Sequence, residues 1–249
     1  MKLEICTGSY EDCLRAERGG AHRVELNSAL FLGGLTPSIA TVKKVLEKTS
    51  LEVIAMVRPR GAGFCYLDSE FEVMMADAKE MLEAGVHGIA FGFLNEDCSI
   101  DIEKTKQMTE LIHAYGKTAV FHRAIDCVKE YEDSIEQLID LHVDRILTSG
   151  QKEKALMGAD EIAQIQMKYG NLIEILPGSG VNAGNLAELV KKTCVVQAHS
   201  SCRHWEKDMT TTSSGVSYAY HDAYDYDCVS EELVRKLVEA AERISENYK

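Results

Sequence analysis

The chain has 249 residues, 45% of them hydrophobic, with 27 basic against 40 acidic side chains and a formal net charge of −13. That apolar fraction excludes a disordered chain, and no apolar run approaches the roughly 18 residues that span a bilayer. The acidic balance, with Lys and Arg scattered, speaks against nucleic-acid binding, which needs a basic stripe to displace phosphate counterions.

In chain order, Leu3–Cys6 reads as a strand, followed by a helix with Tyr10, Cys13, Leu14 and Glu17 at helical spacing. Arg23–Leu26 is the second strand. Thr36 and Pro37 read as N-cap and first residue of a helix striped by Ile39, Val42, Val45 and Leu46. Val53–Val57 is the third strand, and Ser69 with Glu72 forms a capping box before Phe71, Met74, Met75 and Ala78. Strands at Gly88–Phe91, Thr118–Phe121, Arg145–Leu147, Ile173–Leu176 and Val195–Ala198 then alternate with amphipathic helices, the last carrying Leu233, Leu237, Val238, Ala241 and Ile244. Three segments, from Gly20, Gly85 and His142, repeat a helix end, a tight turn and a strand before the second, fourth and sixth strands.

Eight β-α units predict a TIM (β/α)8 barrel, in which a closed parallel sheet leaves no exposed edge. No Pro- or Ser-rich linker interrupts residues 1–249, so a single α/β domain is expected. The exception to compactness is the stretch from about 202 to 229, between the last strand and the last helix. It is rich in Thr, Ser, Tyr and Asp and lacks helical period, as a lid, interface segment or cap would. The eight cysteines include no CxxC pair, which favours reduced thiols in the cytoplasm, and the N-terminus shows no signal-peptide pattern.

In such a barrel the active site lies at the carboxyl ends of the strands. Period-two alternation places Glu4 with Cys6 and Glu25 with Asn27 on shared faces, with Arg58 and Arg60 just beyond strand three. His122, Arg123 and Asp126 end strand five. Glu4, Glu25, Arg58, His122 and Asp126 are therefore the candidate catalytic groups, carboxylates and cations close enough to perturb one another. Gly178, Ser179 and Gly180 after strand seven, with His199, Ser200 and Ser201 at strand eight, are candidates for an anion site, together with Arg60 and Arg123. Cys6 is the one thiol placed at a strand end.

The runs LEIC (Leu3–Cys6), RVELN (Arg23–Asn27), GGLTPS (Gly33–Ser38), RPRGAGFCY (Arg58–Tyr66), FHRAID (Phe121–Asp126), LTSGQ (Leu147–Gln151) and AHSS (Ala198–Ser201) together resemble the copper homeostasis protein CutC family. The resemblance implies a TIM barrel, a cytoplasmic location, a homodimer or higher homo-oligomer, and copper(I) as the ion handled, with Cys6 as its ligand. It also implies a second thiol at the end of the RVEL strand, where this chain has Asn27. Three functions are thus expected in order. The first is a CutC-type role in copper homeostasis with Cu(I) binding. The second is a metal-independent barrel enzyme acting by acid/base chemistry on a small anionic or phosphorylated metabolite. The third is a non-catalytic homo-oligomer acting through its surface.

Overall fold

The eight apolar runs become eight parallel strands, each buried because a helix covers its outer face. The computed structural model describes residues 1–220 and 225–247. Its strands are β1 (Lys2–Thr7), β2 (Arg23–Leu26), β3 (Glu52–Met56), β4 (Gly88–Phe91), β5 (Thr118–Phe121), β6 (Arg145–Thr148), β7 (Glu174–Pro177) and β8 (Gln197–Ser200). Hydrogen-bonded neighbours run in the order β7-β6-β5-β4-β3-β2-β1-β8, all parallel, and β7 touches β8 across the remaining seam. The result is a TIM-type barrel. The outer ring is α1 (Tyr10–Arg18), α2 (Ile39–Lys48), α3 (Asp68–Ala84), α4 (Ile102–Ala114), α5 (Tyr131–Asp140), α6 (Ala159–Tyr169), α7 (Leu186–Thr193) and α8 (Glu231–Asn247).

Alternation along the strands sends Val24, Leu26, Ile89, Phe91 and Phe121 outward, into a core shared with helix residues such as Val42, Met74, Met108 and Ile112. Ile54, Met56, Ala90 and Val120 form a separate apolar cluster inside the barrel, on one half of its wall. The other half is polar and carries the site described below. The repeated turns are explained by backbone conformation. Gly20, Gly85 and His142 have φ of +93°, +100° and +58°, the left-handed geometry that stops a helix before the chain enters a strand.

Several boundaries differ from expectation. α2 begins at Ile39, with the Ser38 hydroxyl accepting from Thr41 N, because Thr36 is already bonded to Arg58 through its amide and its hydroxyl. The box before α3 is shifted as well: Glu70, rather than Glu72, accepts from the Leu67 amide at 2.8 Å. β7 and β8 lie one and two residues later than predicted. The stretch after β8 is not wholly irregular, since β9 (Arg203–Glu206) and β10 (Tyr226–Val229) pair antiparallel at its two ends. Residues 221–224 of that stretch lie outside the described residues.

Candidate functional site

A cavity of about 390 Å³ opens at the carboxyl ends of the strands. Its floor is a buried ion network. The Glu4 carboxylate meets Arg23 Nε at 2.6 Å and accepts from His199 Nδ1 at 2.8 Å, while Arg23 Nη2 donates to Gln197 at 2.7 Å. Arg23 and Glu4 are 0% and 1% exposed. Burial alone would raise the Glu4 pKa, but the His199 hydrogen bond and the Arg23 charge hold it at about 2. Burial would likewise discharge His199, yet its bonds to Cys6 and Glu4 keep its pKa well above the ordinary value. The pair is therefore an imidazolium on a carboxylate.

One layer nearer the opening, β1 and β2 set Cys6 beside Glu25. The Cys6 thiol donates to Glu25 Oε2 at 3.8 Å, and Asn27 Nδ2 reaches both Glu25 Oε2 (3.0 Å) and Cys6 Sγ (3.6 Å). Burial raises the pKa of Glu25 and of the Cys6 thiol. Unlike Glu4, Glu25 has no Arg or Lys partner among the described residues. Cys6, Glu25 and His199 each bring a ligand-type atom within 4.8 Å of the others. As a donor set this is one thiol, one carboxylate and one imidazole, whose far nitrogen is already oriented by Glu4 as metal-site histidines are. A copper(I) ion prefers two or three soft donors, and the neighbouring Asn27 supplies an amide. The set as a whole fits Cu(I) poorly, with Cys6 and His199 its only suitable members.

On the opposite wall, His122 is buried after β5. Its Nδ1 accepts from Ala124 N at 3.2 Å, which leaves the proton on Nε2. Burial and the nearby Arg58 charge push its pKa down to about 3, so the ring is neutral. Arg58 follows β3 and is held by the carbonyls of Leu32, Gly34 and Ala62 at 3.1, 3.1 and 2.7 Å.

The structure brings Cys6, Glu25, Arg58, His122, Arg123, Ser179, Gly180, His199 and Ser201 to this cavity. It places the remaining candidates elsewhere. Glu4 lies one layer deeper, against Arg23. Asp126 accepts from Arg123 Nε (2.8 Å), Thr148 Oγ1 (2.6 Å) and the amides of Ser149 and Gln151, which ties the end of β6 to the β5 turn. Arg60 turns outward onto Glu70 (2.6 Å) and over the Tyr66 ring. Gly178 backs against Leu147 and His199, and Ser200, on the outward face of β8, donates to the Val181 carbonyl at 2.6 Å. Sequence reasoning missed Lys154 and Arg203, which line the opening, and Arg23, which balances Glu4. Arg23 could have been read from the same alternation that found Glu25. Lys154 sits in an aperiodic loop and gave no signal.

A parallel eight-stranded barrel with a polar, cation-rimmed cavity at the carboxyl ends of its strands is the class that fold and site define. Within it, residues 1–204 match the CutC family profile, and the chain belongs to the CutC family. A CutC family protein of Treponema denticola is 44% identical over 219 residues, 88% of each chain, and one of Vibrio cholerae is 37% identical over 202 residues, 81% of this chain and 80% of the relative. The crystal structure of a Streptococcus agalactiae CutC, named for copper homeostasis, superposes with TM-score 0.76 at 32% identity, covering 81% of this chain and 98% of that one. A phosphoribosylanthranilate isomerase from Thermotoga maritima, at 12% identity and TM-score 0.57 over 98% of this chain and 99% of that one, shares the fold alone.

Proposed function

We propose that this CutC family member is an enzyme that binds a small anionic metabolite in the barrel mouth and moves a proton on it. The observation that carries the reading is the pairing, in one cavity, of a buried carboxyl of raised pKa with a guanidinium that no described carboxylate pairs: Glu25 faces space bordered by Arg58, and by Arg123, Lys154 and Arg203, whose charges are met by Asp126, Glu153 and Asp227. In a chain of net charge −13 the unpaired Arg58 guanidinium gives this cavity a local attraction for anions against the overall field. Glu25 has the properties of a general acid/base, since burial brings its proton affinity toward neutral pH and Asn27 fixes one of its oxygens. Cys6 and the His199–Glu4–Arg23 network position it and set its field. The expectation that His122 also exchanges protons gives way, because a ring with pKa about 3 stays neutral through the working range. This moves acid/base chemistry ahead of copper in the order of readings.

The test is thermal stabilisation by a panel of small carboxylates and phosphate esters. A ligand at 100 times its Kd adds about 2.7 kcal/mol to native stability, or about 5–10 °C in Tm for a chain of this length. At least one anion is expected to do so in the wild type and to fail in Arg58→Gln. A panel in which no anion shifts Tm would remove the reading.

The second reading, Cu(I) binding associated with copper homeostasis, is favoured by the clustering of Cys6, Glu25 and His199 and by the family's name. Its ligands would be Cys6 Sγ and the His199 nitrogen not bonded to Glu4, each of which would have to release its proton on binding. A titration under reducing conditions against a Cu(I) chelator tests it. One equivalent bound, and lost in Cys6→Ser, supports it; no binding ends it.

A further inference from the structure

Two buried N–H groups, on side chains that line the cavity, have no hydrogen-bond partner among the described residues: Arg58 Nε and His122 Nε2. Their side chains belong to residues only 5% and 4% exposed. The three carbonyls that hold the Arg58 guanidinium fix its direction without neutralising it, and no carboxylate of the described residues pairs with it. Both groups rest on one aromatic plate: Arg58 Cζ lies 5.1 Å from the Phe64 ring centroid, and the Phe64 and His122 rings are 5.0 Å apart. The backbone is shaped around them as well. A Cβ at Gly33, where φ is +91°, would lie 2.9 Å from Arg58 Nη1, and one at Gly92 would lie 2.5 Å from His122 Cε1. Two donors are thus held rigidly with no acceptor meeting them among the described residues, beside a guanidinium that no carboxylate pairs and whose other neighbour is the Tyr66 phenol. A fold carries that arrangement at a cost in stability, because a buried donor or charge without a partner is destabilising.

We propose that Arg58 and His122 form the recognition end of the site, offering Arg58 Nε–H and His122 Nε2–H to the carboxylate of the substrate. The inference deepens the anion-binding reading given above, on which it rests, by naming the group recognised and the residues that recognise it. Charge selects a carboxylate over a phosphate. This corner supplies one positive charge, since the ring is neutral, and a monoanion balances it; a phosphate dianion would bring an uncompensated negative charge into the space shared with Glu25. The planar pair of carboxylate oxygens also suits two separate N–H donors. His122 is thereby a fixed donor and not a proton shuttle.

The experiment is ¹⁵N-edited NMR of the full chain, following the His122 Nε2–H and Arg58 Nε–H signals during titration with sodium acetate. Inorganic phosphate and chloride serve as comparison anions at matched ionic strength. Acetate is expected to move both signals saturably and at lower concentration than phosphate, with affinity at least ~10-fold weaker in Arg58→Gln and in His122→Phe, about 1.4 kcal/mol. The wild-type titration is decisive even where a variant folds poorly. The proposal is overturned if acetate leaves both signals unmoved, or if phosphate moves them first. Saturable anion binding that is lost in Lys154→Ala and never reaches these two signals would overturn it while leaving the mouth an anion site. Absence of saturable binding by any of the anions would overturn both.

Discussion

Glu4 and Glu25 occupy neighbouring strands of one barrel wall, yet they are opposite in chemistry, and the difference is the charge each one touches. Arg23 and His199 hold Glu4 ionised, with pKa about 2 against an ordinary 4.5. A carboxylate whose folded pKa is depressed contributes stability that is complete above the unfolded value and is lost as pH falls through the folded one. Urea unfolding from pH 6 to pH 2 is expected to show that loss between about pH 4.5 and 2, and Glu4→Gln, which leaves buried Arg23 with only the more distant Glu52 as carboxylate partner, is expected to cost about 3 kcal/mol at pH 7. Glu25 carries the reverse sign. Its raised pKa makes the folded state bind the proton more tightly than the unfolded state, so its contribution falls as pH rises above 4.5. Glu25→Gln should therefore raise Tm at pH 7 to 8 relative to the wild type while slowing turnover, and calorimetry at pH 4 and pH 8 checks the sign. Alternation identified both glutamates in the sequence. It could not say that Glu25 shares its layer with Cys6 while Glu4, about 7 Å deeper, shares one with Arg23, because that pairing depends on the stagger of neighbouring strands.

The elements that carry the site are tied together by side chains that looked catalytic in the sequence. Asp126 is the clearest: its carboxylate collects Arg123, Thr148, Ser149 and the Gln151 amide, so it fastens the turn after β5 to the end of β6. Asp126→Ala would leave several of these donors unanswered at 1–3 kcal/mol apiece, and a loss of about 3 kcal/mol or more is expected in urea denaturation. A polar residue at a strand end is equally suited to chemistry and to such fastening, and only the partners tell them apart. Gly92 is a converse case, invisible as a site residue because it has no side chain. The space it leaves holds His122, so Gly92→Ala is expected to displace the ring and weaken anion binding at least ~10-fold with no functional group removed. Titration calorimetry with the best anion of the panel measures it. The helix starts near Thr36 and Ser69 differ from the sequence pattern for separate reasons: the Thr36 hydroxyl is engaged by Arg58 in the adjacent loop, and α3 begins at Asp68, so Ser69 lies inside the helix and Glu70 closes onto the Leu67 amide.

The barrel itself was legible because eight strand-helix units leave few other ways to bury every apolar face, and the family profile over residues 1–204 agrees. The reaction was not legible in the same way. Family resemblance brings a copper label, whereas the residues present include a single thiol at the mouth and an amide, Asn27, beside it. What the sequence alone hid was the pairing of charge: Arg123, Lys154 and Arg203 at the cavity are met by Asp126, Glu153 and Asp227, while Arg58 borders the same cavity as Glu25 with no carboxylate partner among the described residues. The central claim is that this cavity moves a proton on an anion. It is tested most directly by incubating the protein in D2O with a panel of small 2-hydroxy and 2-keto carboxylates and sugar phosphates, followed by ¹H NMR. At least one compound is expected to exchange a carbon-bound proton or be converted by the wild type, with the rate falling by about 10²–10⁴ in Glu25→Gln. A panel left unchanged, or a Glu25→Gln variant as fast as the wild type, would contradict it.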